Sequence, residues 1–526
     1  MSMPRRQFHR RCHGPGAHRS RGQALAFTLV FAAATGLITL LLFNSGMLAN
    51  TKTQLQNAAD AGAYSAAVLQ ARDHNFSAYT NRAMIANQAA VAQFVSLKSY
   101  LDDAKRTQDR ARSAIHSVYA LTPVFKPLWD VGKNVPVGTA KSFMDTLAPN
   151  AVKGLDLLIG ALEQAQQLHH VGTMTEMMFV ADDVVKKNDP QASVTRSAFM
   201  LGDAVIRVTN WGNRYTDRLP ANTNAREADR FADAVLHNDS QDAFTRNRLS
   251  VPVAAWASPV KPLLCPGAAF SFTFFAFNHA GGTILSSDKR RWLGLDATQG
   301  LGGAFCTWLV PCPLGVCPLT IPFPPFADIG VQAPFLGGHG GAVAGRGGRY
   351  GELSGYRNNH WSSRLYGYAL TSPASIPAWY RYGVAGPGST LDANGGLQDY
   401  YRDIADPLNA VNKPANQTPE ENGGKFPVTV EVERPTSTVR LSSRVLPNST
   451  EVRLDDAAKA NTLRSVASAH AYFFRPRQDN ASQFTRNGWH RADNRTELAN
   501  LFNPYWQARL VDTPLVESAA SALAQN

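Results

Sequence analysis

Acidic residues are missing from the start of this chain: none precedes Asp60, while Arg5, Arg6, Arg10, Arg11, Arg19 and Arg21 crowd the same stretch. Charge of either sign is sparse overall, at 17% of 526 residues against 44% hydrophobic residues, which excludes wholesale disorder and predicts folded domains. The length exceeds one ordinary core, so two or more folded regions are expected. The net charge of +12 owes its first contributions to arginines abutting an apolar run. No groove-reading motif accompanies them, so the charge points to a membrane surface and not to nucleic acid.

A second long apolar run is also missing. Gly267 to Phe277 is too short, and the apolar residues from Trp308 onward are cut by Pro311, Pro313, Pro318 and Pro322. Cysteine is scarce. Cys12 lies in the basic tail, whereas Cys265, Cys306, Cys312 and Cys317 fall together far downstream, where disulfides are expected with three pairings open. No C-x-x-C pair and no histidine pair at ligand spacing supports a metal site. Sequences of the H-E-x-x-H, G-x-S-x-G and Walker A types and the kinase signatures are absent, so no catalytic residue, cofactor or metal is assigned and an enzyme is not expected.

What is present begins with Ala24 to Phe43, an uncharged run interrupted only by Thr28, Thr35, Gly36 and Thr39. As a helix it spans about 30 Å, one hydrocarbon core, and it exceeds the roughly 7–15 residues of a signal-peptide apolar region. A retained single-pass anchor is predicted, with the arginine-rich tail cytoplasmic and everything after Asn44 on the far side. From Met47 the helix continues as an alanine-rich stalk in which Leu48, Leu55, Gly62 and Leu69 recur at heptad spacing, a packing seam open either to the chain itself or to another subunit.

Helical patterning continues through Ala78 to Lys105, Ala151 to Lys187 and Val194 to Leu236. Asp102, Asp103, Lys105, Asp182, Asp183, Lys186 and Lys187 read as solvated faces, and the adjacent His169 and His170 as ordinary polar residues pointing about 100° apart. Beyond Pro252, Gly, Pro and aromatic residues replace the helical period, predicting short strands and long loops. Within it, Gly337 to Gly355, carrying His339, Arg346, Arg349 and Glu352, reads as a surface loop with no phosphate-loop spacing. Tyr366, Tyr368, Trp379, Tyr380 and Tyr382 read as core aromatics, with a docking face as the alternative. Phe426 to Glu433 and Thr438 to Val445 predict a hairpin, Asp455 to Phe473 a helix, and Leu498 to Leu510 a closing segment.

The expected class is α+β: a basic tail over 1–22, a transmembrane helix over 23–46, a helical region over 47–250, a Gly/Pro-rich β/loop module over 251–424, and a hairpin, helix and docking segment over 425–526.

Arg21-Gly22-Gln23-Ala24-Leu25 with its apolar run, followed by Leu55-Gln56-Asn57-Ala58-Ala59-Asp60-Ala61, resembles the N-terminal module of TadG-like Flp pilus-assembly proteins. Two further stretches look like the larger TadG-like proteins, namely Phe76 to Asn87 and Leu501 to Leu510. The resemblance implies a pilin-like component of a Tad-type apparatus, held in the bacterial inner membrane with its body in the periplasm. Its implied partners are other subunits of that apparatus, with homo- or hetero-oligomers formed through the membrane-proximal helix. Related prepilins are cleaved after a glycine whose fifth following residue is glutamate. Gly22 fits the glycine, yet Phe27 stands at the fifth position, so an unprocessed anchor is expected. No D-x-S-x-S cluster occurs, so the metal-dependent adhesion site of some relatives is not carried over. Two other readings remain: an adhesive module displayed over 251–424, and a hydrolase whose acid–base cluster only the fold would assemble.

Overall fold

The computed structural model describes residues 23–121, 136–195, 204–211, 239–246, 248–250, 253–258, 267–285, 291–327, 338–345, 349–353, 426–441, 462–476 and 499–516, with a few single positions between them. Helix α1 (Gln23–Leu121) is one continuous rod whose length comes to about 150 Å. Helix α2 (Val137–Asn188) returns antiparallel along it, with Gly138 beside Lys105 at one end and Val185 against Gly62 at the other. The alanines explain the close approach. Ala58, Ala59, Ala63, Ala66 and Ala67 are fully buried, so α1 presents a thin flank on which other elements settle.

Two antiparallel sheets pack on this helical pair. The first has the order β1 (Ser193–Val194), β9 (Val428–Pro435), β10 (Thr462–Phe473), β11 (Trp506–Val511) and packs on α1 between Leu55 and Asn75. Its core joins Leu55, Ala59 and Ala63 of α1 to Val185 of α2 and to Val430, Val432, Ala467 and Ala469 of the sheet. The second sheet runs β2 (Arg248–Ser250), β4 (Phe270–Leu285), β5 (Arg291–Cys312), β7 (Gly338–Gly345), β8 (Arg349–Glu352). Strand β3 (Val253–Ser258) extends the β2 edge of β4, and β6 (Gly315–Ala327) extends the β7 edge of β5. It packs on the upper half of α1, where Met84, Val91 and Val95 meet Val152 and Ile159 of α2 and Trp292 and Ala344 of the sheet.

Several expectations are corrected. Thr462–Phe473 is the central strand β10 and not the end of a helix, paired on one side with β9 and on the other with β11. Ser465, Ala467, Ala469, Ala471 and Phe473 lie on one face of β10 and are all buried, mostly small residues that fit the alanine flank of α1, so tertiary pairing overrides alanine's helix preference. Val428–Pro435 is a strand, but it takes β10 as its neighbour. The next residues form a single 3-10 turn, Thr436–Thr438, with no strand over 439–441, and 442–445 lie outside the described residues. Val194 belongs to a strand rather than to a helix, whereas residues 204–211 are helical.

The described parts of the glycine-rich stretch, 338–345 and 349–353, are not a surface loop, while 337, 346–348 and 354–355 lie outside the described residues. Gly338–Gly345 is strand β7, laid directly on α1. A Cβ at Gly340 would collide with the Ser99 carbonyl oxygen and lie 2.7 Å from the Asp103 backbone nitrogen, and one at Gly338 would collide with the Thr107 hydroxyl. These glycines let strand and helix backbones touch, a role that the absence of a side chain alone permits.

Candidate functional site

The most apolar part of α1 is also its least covered. Leu25, Phe27, Phe31 and Leu42 are each at least 66% exposed, and none of the most apolar stretch is buried inside the protein. Its polar groups are turned inward: Thr28 donates to the carbonyls of Ala24 and Leu25, Thr35 to Phe31 at 2.8 Å and Thr39 to Thr35 at 2.8 Å. The hydroxyls are satisfied by the helix itself, and what remains outside is hydrocarbon. Among the described residues this is the one helix segment long and apolar enough to cross a membrane. Arg21 and Gly22, the expected entry residues, lie outside the described residues.

The heptad positions that follow meet the chain's own body. Leu48 is half-buried, whereas Leu55 is fully buried and Leu69 nearly so. A Cβ at Gly62 would stand 2.9 Å from Val185 Cγ2, 3.3 Å from the Ala181 carbonyl and 3.6 Å from Val430 Cγ1. From Leu55 to Leu69 the seam is therefore occupied by α2 and the first sheet. Only its Leu48 end stays accessible.

Further along α1 lie two buried polar networks. In the first, Asp73 sits wholly inside and receives His169 Nδ1 at 2.8 Å and His170 Nδ1 at 2.7 Å on its two oxygens. The two histidines thus converge after all, because one carboxylate between them offers an acceptor to each. Beside them Trp211 Nε1 donates to His74 Nε2 at 3.1 Å, and the His74 ring packs 4.3 Å from that of Trp506. Asn75 exchanges two 3.0 Å hydrogen bonds with the Trp506 backbone, and Asn81 donates to the Leu501 carbonyl at 2.7 Å. Phe76 to Asn87 and Leu501 to Leu510, far apart in sequence, are thereby brought into one contact.

The second network ties α1 to the second sheet. Ser96, Ser99 and Asp103 share one face of α1. Arg248 holds Asp296 through two 2.7 Å hydrogen bonds and also donates to Ser99 at 3.2 Å, while Ser99 donates to Asp296. Asp103 accepts from the Thr298 backbone at 3.1 Å and from its hydroxyl at 2.5 Å. His279 bridges the acids, with Nδ1 3.1 Å from Asp103 and Nε2 3.2 Å from Asp296, the latter an ion-pair contact without hydrogen-bond alignment. Gly281, paired with Asp296 across β4 and β5, leaves the space that its carboxylate fills.

Burial alone would lower the pKa of His279, but the hydrogen bond to Asp103 and the charges of Asp296 and Asp103 outweigh it and push it up to about 9. Burial raises Asp103 despite its His279 and Thr298 contacts. Burial would raise Asp296 as well, yet the Arg248 charge holds it below the ordinary carboxylate range. Asp102, also buried, joins Lys98 and Lys141 and so links α1 to α2. Asp102 and Asp103 are thus interior residues and not a solvated face. Asp182 and Asp183 do keep exposed partners in Lys186 and Lys187.

The second network contains a serine, a histidine and two aspartates, the ingredients of nucleophilic catalysis, but their arrangement is that of a structural lock. Ser99 donates to Asp296 and not to a histidine nitrogen, and both His279 nitrogens face carboxylates. A nucleophile needs a base free to take its proton, and the carboxylate that Ser99 meets, Asp296, is already held by Arg248 through two hydrogen bonds. Among the described residues no group of histidine, cysteine and acid side chains is placed to hold a metal ion. No local motif announced either network. The first joins residues 431 positions apart, Asn75 and Trp506, and the second residues 197 positions apart, Ser99 and Asp296.

Cys312 and Cys317 form a disulfide at the tip of the β5–β6 hairpin. Cys265 and the five aromatic positions from Tyr366 to Tyr382 lie outside the described residues, and only the backbone of Cys306, in β5, is described.

Residues 22–71 match the family model described as Putative Flp pilus-assembly TadE/G-like. The match covers the exposed apolar segment and the packing seam through Leu69 and stops before the polar networks. No curated protein and no solved structure matches the chain.

Proposed function

We propose that this protein is a membrane-anchored, pilin-like component of a Tad/Flp pilus assembly or secretion apparatus that works through protein–protein contacts. The observation that carries this reading is the coincidence of the TadE/G-like match with a bare apolar helix segment that runs unbroken into a packed body. A helix that continues from hydrocarbon into a folded core holds that core at a fixed height and orientation above the membrane. The arginines before Gly22 favour a cytoplasmic tail and an exported body. The Cys312–Cys317 disulfide suits an oxidising periplasm. With Phe27 five residues after Gly22, the anchor is retained uncleaved.

The test is a cross-linked pull-down of the tagged chain from intact envelopes, with mass spectrometry of the membrane fraction and of material sheared from the surface. Pilus-apparatus subunits recovered with the membrane fraction support the assembly reading. Their absence from both fractions removes it.

A second reading, an adhesive module on the same anchor, is favoured by the β5–β6 tip, where Leu309, Leu314, Val316 and Leu319 are exposed around the disulfide. Replacing residues 309–319 with a short turn should leave pilus assembly intact and abolish surface attachment if the tip is adhesive. Unchanged attachment discards that reading.

A further inference from the structure

We infer that α2 carries an interface between two copies of this chain, formed by parallel, in-register pairing of its outward face. Helix α2 is apolar on two opposite sides. The inner side, with Val152, Ile159, Met177 and Val185, packs on α1 and the sheets. The outer side carries Phe143, Leu147, Leu157, Leu168, Val171 and Phe179 in the open, with Leu168 75% and Phe179 71% exposed. A soluble helix normally turns a polar face outward, and one that is apolar all round is covered on both sides.

All of these outer residues but Phe179 fall on one heptad. Leu147, Gly154, Ala161, Leu168 and Thr175 occupy one core position and Phe143, Asn150, Leu157, Gln164 and Val171 the other, alternating in steps of three and four. All of them are exposed, and none is charged. The stripe runs for about 50 Å, and its exposed apolar side chains present on the order of 700 Å², close to the roughly 800 Å² that each partner gives to a standard interface. Patches of that size are uncommon on a solitary surface.

Two features select a second copy over another occupant, and they select the parallel direction. Asn150 and Gln164 interrupt the apolar layers. Only when identical helices lie parallel and in register does each polar layer meet its own duplicate, Asn150 against Asn150, while every leucine meets a leucine. Gly154 and Ala161 then face each other in the middle, where small residues let the backbones close in. The direction also follows from the anchor. Since α2 runs antiparallel to α1, two copies held by α1 in one membrane have parallel α2 helices. This direction argument rests on the anchoring proposed above; the stripe itself does not.

The test uses the full-length protein in native membranes, with Leu157→Cys and Leu168→Cys made singly and Lys187→Cys as an exposed control off the stripe. Mild oxidation should convert each stripe variant to a species of twice the monomer mass, well above the level of the unmodified chain and of Lys187→Cys. In detergent, the Leu157→Arg/Leu168→Arg variant should halve the mass found by light scattering without changing the far-ultraviolet circular dichroism. The proposal is overturned if the stripe variants link no more than the control, or link only to a different protein or within one chain. Dimers from a chain that fractionates as soluble would leave the interface standing and remove the anchor. Membrane retention without dimers would do the reverse.

Discussion

Single residues in this protein are constrained most tightly where backbones meet. Gly340 lies against the Ser99 carbonyl, so a methyl group there must push β7 off α1. Gly340→Ala should destabilise the helix–sheet contact by about 1–3 kcal/mol, the range for overpacking a filled core, measured by urea denaturation. The charged groups of the same contact make a second prediction. His279 has a folded pKa of about 9 against 6.5 for a free imidazole, so it binds its proton more tightly in the folded state. Its contribution is complete below about pH 6.5 and disappears as pH rises through 9, on the order of 3 kcal/mol in all. Asp103, raised by burial, works in the same direction, whereas Asp296 withdraws its contribution only in acid, below the ordinary carboxylate range. The urea midpoint should therefore fall between pH 7 and pH 9.5, and His279→Gln should flatten that dependence.

At the scale of elements, α1 changes its surroundings along its length without changing its conformation. Up to about Phe43 it is bare hydrocarbon with self-satisfied threonines, and beyond Leu55 it is the spine of a core. Phe31→Arg should cost about 3 kcal/mol of insertion and move a large share of the chain out of the carbonate-resistant membrane fraction. The closing strand makes a separate prediction. Asn75 satisfies both the N–H and the carbonyl of Trp506, which fixes the start of β11 against α1. Asn75→Ala should cost about 1–3 kcal/mol and speed limited proteolysis near residue 505, leaving cleavage elsewhere unchanged. Neither change is expected to alter the secondary structure of the remainder.

For the whole molecule, the helices are a shared scaffold on which two sheets are mounted end to end along α1, and the disulfide stands apart at the far tip of one of them. Its closed loop is short, so loop entropy gives it only about 2 kcal/mol. Cys312→Ser/Cys317→Ser should expose the β5–β6 tip to protease while the melting of the helix-packed body stays put, read by differential scanning calorimetry alongside proteolysis. A body-wide loss of stability would show that the tip supports more than itself.

The apolar run from Ala24 to Phe43, the arginines before it and the heptad through Leu55, Gly62 and Leu69 were legible in the sequence, because membrane insertion and helix packing depend on local composition and short periods. The TadE/G-like match falls on the same stretch for the same reason. That β10 is a strand and that β7 is buried were not legible. Alanines at 467, 469 and 471 fit a helix as well as a strand until β9 and β11 are in place, and glycines read as loop until a helix backbone lies against them. Asp103, His279, Asp296 and Arg248 carry no spacing that marks them, since a buried charge is tolerable only beside partners that the fold brings from other elements. Sequence alone determined the long apolar segment and the heptad of Leu48, Leu55, Gly62 and Leu69, which are set by neighbours along the chain. Only tertiary structure decided what fills the seam, which acids are interior and which apolar face is left open, because each of these depends on residues distant in sequence meeting in space.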